Sequence, residues 1–291
     1  MRVLITGGRG QLGTEFAAVC DSAGDDVVLC AHSDLDVSDR DSALQVVGAV
    51  HPDVVIHAGA WTNVDGCEED PSRAYLVNAL GSRHMAEAAA LVGARLLYVS
   101  SDYVFDGRGT GPDGGGAYTE WDAPGPISHY GRSKLGGEHE VVAVLGPAAT
   151  IVRASWVVGR YGANFFKTML RLANDREGKP VTVVDDQRGC PTFTADLAVV
   201  MRRLAVSRIP GLFHVSNEGP LSWHEFASAI FRAAGADAAR VVPIAGADLR
   251  PIRPAPRPAS SILDNAALRG SGLAPMPSWE GALYDAVAAL Q

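Results

Sequence analysis

The sequence predicts an α/β protein whose core is a doubly wound parallel sheet, with a smaller α/β lid towards the C-terminus. Short apolar runs alternate with helical patterns from residue 2 to residue 154. Such alternation is typical of a parallel sheet that carries helices on both faces. From about Ser155 the rhythm loosens, which indicates a second region packed beside the sheet, with a cleft between the two.

The first strand, Arg2–Thr6, runs directly into a glycine-rich turn at residues 7–13, and a helical pattern continues from Gln11 to about Ala23. Strand, glycine turn and helix in this order are typical of a Rossmann-type dinucleotide site. Glycines permit a tight turn and a close approach of the backbone to a pyrophosphate, which then faces a helix N-terminus. We therefore expect Gly7, Gly10 and Gly13 to bind a dinucleotide.

The second strand is predicted at residues 26–31, and its tip should lie near the adenosine ribose. An acidic residue there would bind the ribose 2′-hydroxyl and favour NAD. The sequence has Ala31-His32-Ser33 instead, and Arg9 in the glycine turn is available for a 2′-phosphate. These residues favour NADPH, with NADH as the open alternative.

Further elements follow the same alternation up to residue 154. They are a helix ending at residue 50, a strand at 54–57, a helix from Asp70-Pro71 to about residue 92, a strand at 95–99, a helix carrying Tyr130, and a strand at 149–154. The fourth strand delivers Ser101 and Asp102 at its carboxyl end, where open α/β sheets bind ligands. The glycine-rich residues 106–117 predict a mobile loop beside that site.

Tyr130 and Lys134 are four residues apart, so on a helix they lie on one face. A free tyrosine phenol, with a pKa of about 10, is a poor acid at neutral pH. An ammonium held nearby favours the phenolate and should lower that pKa. Ser101 at its strand end adds a hydroxyl that can hydrogen-bond a substrate carbonyl.

The C-terminal half has weaker signals. We predict a helix at 164–173, a strand at 181–184, a helix at 195–205, a helix opened by a Ser222–Glu225 capping box and ending at Ala234, an irregular proline-rich segment at 248–259, and helices near Asn265 and at 279–290. Residues 1–154 are thus expected to form an NAD(P)-binding Rossmann domain. Residues 155–291 are expected to be mainly substrate-binding, with some segments returning to the sheet.

Composition limits the partners. A net charge of −8 argues against nucleic acid and anionic membranes, because both require a basic surface. The first strand leaves no room for a signal peptide, and no apolar run has the length of a membrane span. The four cysteines show neither C-x-x-C nor zinc spacing, so we expect a cytoplasmic protein with reduced thiols and assign no metal site.

The glycine turn, strand-end serine and Tyr-x-x-x-Lys, in this order and spacing, resemble the extended short-chain dehydrogenase/reductase family. Within it, segments along nearly the whole chain are similar to dTDP-4-dehydrorhamnose reductases. These segments are 99–107 (with Ser101 where that family usually has threonine), 60–65, 154–157, 164–165, 186–192 and 257–258.

The resemblance implies an NADPH-dependent reductase of the C4 keto group of dTDP-4-dehydro-L-rhamnose, or of a closely related dTDP-4-keto-6-deoxyhexose, giving dTDP-L-rhamnose. Tyr130 would donate the proton, Lys134 would hold the nicotinamide ribose, and Ser101 and Asp102 would contact the sugar, which Trp156 would flank. Around the cofactor, the resemblance places Gly10, Gln11 and Leu12 at the pyrophosphate, Asp36 and Val37 at the adenine, and the turn of Gly59 and Ala60, with Thr62, along the nicotinamide half.

Several alternatives stay open. A nucleotide-sugar dehydratase or epimerase has the same fold, although dehydratases typically carry Asp-Glu where this chain has Asp102-Tyr103. A non-catalytic NADP-binding regulatory subunit is the rival from another class. The protein is expected to be a monomer or a homodimer. Some relatives resembling this chain are magnesium-linked dimers, for which Glu15 would be the one candidate ligand.

Overall fold

Strands and helices alternate from the N-terminus in the structure, a computed structural model that describes residues 1–110 and 115–291. The strands are β1 (Arg2–Thr6), β2 (Asp26–Cys30), β3 (Val54–His57), β4 (Arg95–Ser101), β5 (Thr150–Ala154), β6 (Val157–Val158), β7 (Val181–Val184), β8 (Arg188–Gly189), β9 (Thr192–Phe193), β10 (Gly211–His214), β11 (Leu221–Ser222) and β12 (Val241–Ile244). The α-helices are α1 (Gln11–Ser22), α2 (Arg40–Val50), α3 (Val64–Glu69), α4 (Pro71–Tyr75), α5 (Gly81–Leu91), α6 (His129–Leu145), α7 (Phe165–Ala173), α8 (Thr194–Ser207), α9 (Trp223–Ala233), α10 (Ala266–Gly270) and α11 (Trp279–Ala288).

Six strands form one parallel sheet in the order β10-β5-β4-β3-β1-β2. The chain runs outward in both directions from the β1–β3 pair, so the connections leave on opposite faces there. Such a switch point opens a crevice at the carboxyl ends of the strands. The predicted doubly wound, Rossmann-type sheet is confirmed.

Both faces of this sheet are buried, as the period-two alternation of side chains requires of a parallel sheet. Val3 and Ile5 point to one face, where they join Phe16 of α1 and Met201 of α8. Leu4 points to the other face and packs in a cluster with apolar residues of α2, α5 and α6. This packing on both faces holds the strands in place, and it thereby positions the loop residues that follow their carboxyl ends.

The C-terminal residues divide between the sheet and a separate lid. Helix α8 packs on α1, and β10 pairs with β5, so both elements belong to the large sheet layer. The lid has its own apolar cluster around α7, α9 and α11, flanked by the parallel β7–β12 pair. The boundary at residues 154/155 coincides with the end of β5 and stays a proposal.

The predicted helix caps are present. Asp70 accepts a hydrogen bond from the Arg73 amide with Pro71 at the first helical position, and Ser222 and Glu225 form the reciprocal capping box. The helix predicted from Asp70-Pro71 to about residue 92 is not regular throughout, because Leu76–Leu80 form a π-helical turn between α4 and α5.

The elements that were not predicted are α3, β10, β12 and the two-residue strands β6, β8, β9 and β11. Strand β10 has only four residues and begins with glycine, so its local pattern is too weak to identify. Strand β12 contains Pro243, which is tolerated because this strand pairs on one side only. Strand β4 also runs two residues further than predicted and includes Ser101 itself.

Residues 111–114 of the predicted mobile loop lie outside the described residues. The flanking backbone is paired, with reciprocal hydrogen bonds between Thr110 and Gly116 and one from the Ser260 amide to the Gly107 carbonyl. Among the described helices, none combines the length and the apolar character needed to cross a bilayer.

Candidate active site

A cleft of about 490 Å³ opens at the carboxyl ends of the strands, between the sheet and the lid. The structure brings most of the predicted site residues to its wall. Those residues are Gly7, Gly10, Gln11, Leu12, Gly13, Gly59, Ala60, Thr62, Ser101, Asp102, Tyr130, Lys134 and Trp156. Asp36 and Val37 are not on this wall: Asp36 accepts hydrogen bonds from Ser38, and Val37 is buried beneath Gly81.

The glycine turn has the compact geometry that a dinucleotide requires. Gly7 has a φ of +66°, and a Cβ on Gly13 would lie 2.4 Å from the Gly7 carbonyl oxygen. The Gly10 amide donates to that same oxygen, and Gly10 caps α1 with no side chain over the helix end. The first backbone N–H groups of α1 thus face the cleft with room for a diphosphate, so the turn fits the group.

The loop after β3 is braced at two points. The Thr6 hydroxyl accepts a hydrogen bond from the Gly59 amide at 2.9 Å. Asn78, buried in the π-helical turn, accepts from the Trp61 amide at 2.8 Å and donates to the Trp61 carbonyl at 3.1 Å. A π-helical turn often marks a functional site. Here it positions the Asn78 side chain so that it holds the backbone of Trp61, next to the predicted nicotinamide-binding residues Ala60 and Thr62.

At the tip of β2, Arg9, Ala31 and His32 line the cleft. The turn also returns Asp34 to the tip, where its carboxylate accepts hydrogen bonds from the Ala31 amide at 2.8 Å and the Ser33 hydroxyl at 3.3 Å. The sequence alone did not indicate this carboxylate, because it stands four residues after the strand. Asp34 is not on the cleft wall, whereas Arg9 is.

Ser101 and Tyr130 meet at the centre of the cleft. Tyr130 stands in the first turn of α6, which Ser128 caps, and hydrogen bonding with Ser101 favours its phenolate. Burial outweighs this effect and raises the pKa of Tyr130 above its usual value. The predicted lowering of this pKa by Lys134 was therefore wrong for the protein without ligands.

Lys134 is fully buried beside its expected partner but bonds elsewhere. Its Nζ donates to the Val99 carbonyl at 2.8 Å and lies 4.3 Å from the centre of the Tyr98 ring. Burial lowers the pKa of Lys134 to about 7, and the nearby Glu138 carboxylate partly offsets this effect. Because this pKa is close to neutral pH, a small change in the surroundings of Lys134 changes the fraction of the amine that is charged.

Glu138 belongs to a buried network that the sequence analysis missed. Its carboxylate accepts hydrogen bonds from the Ser100 hydroxyl at 2.6 Å and from Arg153 at 2.8 and 2.7 Å. Glu138 follows Lys134 by four residues on α6, so the same spacing that linked Tyr130 to Lys134 was the available signal.

Asp102 is buried directly behind Ser101. Its Oδ1 accepts a hydrogen bond from the Ser101 hydroxyl at 3.1 Å, whereas Oδ2 has no hydrogen-bond partner in the described part of the chain. Burial raises the pKa of Asp102 to about 6, and the hydroxyls of Ser101 and Ser261 only partly offset the rise.

Two tryptophans form the aromatic wall of the cleft. Trp156 follows β5 and stacks on Trp223 of α9, with ring centroids 3.6 Å apart and planes 7° from parallel. Trp223 was noted in sequence only as part of a capping box, so its place in the site was missed. The signal that it carried was an aromatic residue directly after the cap of a lid helix.

Three arginines whose charge would suit a nucleotide diphosphate are already paired with carboxylates. Arg160 bonds Glu15, Arg188 approaches Glu225, and Arg257 makes a two-pronged pair with Asp65. Arg253 lines a separate cavity of about 260 Å³, together with Gln187 and Arg257.

Glu15 was the one residue proposed for magnesium. Its carboxylate is buried and accepts hydrogen bonds from Arg160 and from the Thr194 hydroxyl. Over residues 1–110 and 115–291 there is no group of three or more metal-ligating side chains. The charge of Glu15 is balanced by the guanidinium of Arg160.

The fold and the site together define a dinucleotide-dependent enzyme of the extended short-chain dehydrogenase/reductase type. The chain belongs to the family described as RmlD substrate binding domain, whose model matches residues 1–291.

Relatives of known name agree along the full length. A dTDP-4-dehydrorhamnose reductase of Mycobacterium tuberculosis is 43% identical, covering 99% of this chain and 93% of its own. A dTDP-4-keto-6-deoxy-D-glucose reductase of Streptomyces niveus is 39% identical, covering 98% and 96%. The crystal structure of dTDP-4-dehydrorhamnose reductase from Bacillus anthracis in complex with NADP superimposes with a TM-score of 0.91 at 39% identity, covering 99% of each chain. These matches confirm the resemblance drawn from the motifs.

Proposed function

We propose that this protein reduces the C4 keto group of dTDP-4-dehydro-L-rhamnose, or of a closely related dTDP-4-keto-6-deoxyhexose, with NADPH as the reductant. The observation that carries the proposal is the meeting of Ser101, Tyr130 and Lys134 in one cleft with the glycine turn. The names of the full-length relatives support both the reaction and the sugar class. The product from dTDP-4-dehydro-L-rhamnose is dTDP-L-rhamnose.

Bound NADPH supplies the hydride that adds to the C4 carbon of the sugar. The chain's contribution at this end would be to hold the dinucleotide: the Gly10-Gln11-Leu12 backbone, which lines the cleft, would bind its pyrophosphate, and Ala60 and Thr62 would contact its nicotinamide half. Arg9, also on the cleft wall, would suit a 2′-phosphate. Lys134 is within the same cleft and can exchange its bond to Val99 for the nicotinamide ribose hydroxyls.

Tyr130 supplies the proton. Burial raises its pKa, so the phenol carries its proton at neutral pH but is a weaker acid than a free tyrosine, and stabilisation of the phenolate by Ser101 acts in the opposite direction. Ser101 bonds the sugar carbonyl oxygen and aligns it with the phenol, which stabilises the negative charge that develops there. The C4=O π bond breaks as a C–H and an O–H bond form, and the phenolate that remains regains its proton from solvent.

The cleft argues against a dehydratase of the same fold. Asp102 is the one carboxylate on its wall within the described residues, and the next position is Tyr103, whose ring meets Tyr130 edge-on at 5.5 Å. Dehydratases of this fold typically carry a second carboxylate at that position for the elimination of water, and Tyr103 does not supply one. A purely regulatory role would leave Ser101, Tyr130 and Lys134 without a use.

The four buried free cysteines support a reducing compartment, and we propose the cytoplasm, where NADPH is produced. A monomer and a homodimer both remain compatible with this proposal. We also propose the division into a cofactor domain, 1–154, and a mainly substrate-binding region, 155–291.

The proposal is tested by NADPH oxidation with dTDP-4-dehydro-L-rhamnose generated in situ, and NADH in a parallel assay. We expect rapid turnover with NADPH and dTDP-L-rhamnose as the product. Tyr130→Phe should lower kcat by about 10²–10⁴-fold, the usual worth of a general acid, while NADP⁺ still binds.

The control is Tyr284→Phe, which makes the same change at an exposed position outside the cleft and should not alter kcat. Unchanged turnover in Tyr130→Phe would remove the assigned proton donor. A wild-type protein that binds NADPH but reduces no dTDP-4-keto-6-deoxyhexose would overturn the proposed function.

A further inference from the structure

Trp223 lies in the middle of three aromatic layers at the edge of the cleft. Trp156 covers it on the sheet side at 3.6 Å, and Phe165 of α7 packs against it at 4.5 Å with a tilt of 58°. Trp223 therefore packs against two rings, and both Trp156 and Trp223 line the cleft. Both indoles are only half-buried, so part of the stack remains open to a ligand.

Trp156 is the strained member of the stack. Its φ is +44°, in the left-handed region that a bulky side chain rarely adopts. Such a conformation persists only when its surroundings fix it. The Ser155 hydroxyl bonds the Cys190 carbonyl, and the Trp156 carbonyl accepts from the Thr192 amide at 3.2 Å, which accounts for the backbone.

The indole of Trp156 needs a support of its own. A Cβ on Gly189 would lie 2.5–2.8 Å from its Cε2, Nε1 and Cζ2 atoms, so the absence of a side chain there creates the space for the ring. Trp223 supplies the stacking surface. It is rigid, because it occupies the first position of α9 immediately after the Ser222–Glu225 capping box.

The polar residues Ser101 and Tyr130 line the same cleft as the two tryptophans. Ser101 and Tyr130 bind the oxygen of the reacting carbonyl, which leaves the C–H surface of a pyranose to face the rest of the cleft. Aromatic rings bury apolar surface of this kind in a defined orientation. The wall therefore has the chemistry to orient a deoxyhexose, provided that Trp156 is held in place.

From this geometry we infer that Trp223 is the positioning residue of the hexose subsite: it fixes the indole of Trp156 from the lid, and thereby sets the affinity for the sugar but not for the nucleotide or NADPH. The inference rests on the proposed function, because it takes a dTDP-linked 6-deoxyhexose as the ligand. It also joins the lid to the sheet side of the site, since Trp156 follows β5 and Trp223 begins a lid helix.

The experiment measures binding of dTDP-L-rhamnose and of dTDP separately, by calorimetry in the presence of NADP⁺. Trp223→Ala should weaken dTDP-L-rhamnose by about tenfold, the upper range for an aromatic pair, and leave dTDP within about twofold. Trp223→Phe keeps a ring against Trp156 and should recover most of the loss. In turnover, the KM for the keto-sugar should rise while the KM for NADPH stays unchanged.

A double-mutant cycle distinguishes positioning from an independent contact. If Trp223 acts through Trp156, Trp223→Ala costs nothing further in a Trp156→Ala background. The matched control is Trp279→Phe, a tryptophan of the same lid cluster that packs on Phe226 and does not line the cleft. It should leave both affinities unchanged.

Additive losses in the double mutant, or an equal loss for dTDP and dTDP-L-rhamnose, would overturn the inference while leaving the reductase proposal standing. If the wild-type protein binds dTDP-L-rhamnose no more tightly than dTDP, the inference fails because the hexose adds no affinity, whereas the proposed function fails only if no dTDP-4-keto-6-deoxyhexose is reduced.

Discussion

At the residue scale, Asp102 is a buried group whose environment disfavours its charge. It is buried behind Ser101, and one of its carboxylate oxygens accepts no hydrogen bond from any described residue. Ionising such a group in the interior is costly, because no bond replaces the lost hydration. The raised pKa of Asp102, about 6, expresses that cost.

This cost gives stability a definite pH dependence. Because the folded-state pKa lies above the unfolded one, the native state binds more protons between about pH 4 and pH 6, and its stability falls as pH rises through that window. Asp102→Asn keeps the shape and cannot ionise. Relative to wild type, its free energy of unfolding should rise by about 3 kcal/mol from pH 4 to pH 7, as measured by urea denaturation.

Asp122→Asn is the control of opposite sign. The Asp122 carboxylate accepts hydrogen bonds from the Thr119 amide and hydroxyl, and these hold its pKa below the usual value. Its contribution to stability is present above the unfolded pKa, so this variant should lose stability relative to wild type as pH rises. The assignment of a costly charge to Asp102 fails if both variants respond alike.

Site residues could be predicted where their roles follow from their spacing along one helix or from their place at a strand end. Tyr130 and Lys134 share a helix face, and Ser101 ends a strand, so sequence order placed all three in the cleft. Trp223 was not predictable, because its role depends on Trp156, which a separate part of the chain supplies. The pKa of Tyr130 was predicted with the wrong sign, since spacing reveals the nearby ammonium but not the depth of burial.

At the scale of elements, α1 and α2 show that the same residue type can have opposite roles. Gly13 in α1 is pressed against the glycine turn, and an added Cβ would meet the Gly7 carbonyl oxygen at 2.4 Å and the Gly8 Cα at 2.9 Å. Gly48 in α2 has open space around the same position. The close packing of α1 on the glycine turn therefore requires glycine at position 13, whereas α2 has room for a side chain at position 48.

We expect opposite results from two identical substitutions. Gly13→Ala must move the turn, so it should destabilise the protein by about 1–3 kcal/mol and greatly weaken NADPH binding. Gly48→Ala should stabilise it by about 0.5–1 kcal/mol, because alanine has the higher helix propensity and restricts the unfolded chain. Urea unfolding and NADPH fluorescence titration measure both; NADPH affinity of Gly13→Ala equal to wild type would contradict the contact.

Elements with capping signals were predicted nearly to the residue, as for α7 and α9. The short strand β10 was not, because four residues acquire strand character only by pairing with β5. Long-range pairing of this kind leaves little trace in the local pattern.

At the scale of the whole molecule, Asp65 and Arg257 tie together distant parts of the chain. Asp65 lies in α3, just after Ala60 and Thr62, which line the cleft. Arg257 lies in the proline-rich C-terminal segment, and both of its terminal nitrogens bond the Asp65 carboxylate, at 2.6 and 2.7 Å. The Ala255 amide donates a further hydrogen bond to the same carboxylate, so the segment is fixed against α3.

Arg257→Met removes this tie while keeping much of the side-chain volume. The pair is two-pronged and its guanidinium is only 12% exposed, so its loss should cost about 2 kcal/mol, between the values for surface and buried pairs. Residues 248–259 should exchange their amide hydrogens faster, because they have little regular structure to hold them otherwise. The KM for the nucleotide sugar should rise, and the KM for NADPH should not.

The matched control is Arg269→Met. Arg269 approaches Asp264 at the same 2.6 Å, but the partners are near in sequence and the arginine is 49% exposed. Breaking it removes only a local, solvated pair, which is worth less than about 1 kcal/mol. If Arg257→Met is as mild as this control and leaves exchange in 248–259 unchanged, the backbone hydrogen bonds of the segment, and not the ion pair, close the C-terminal side of the site.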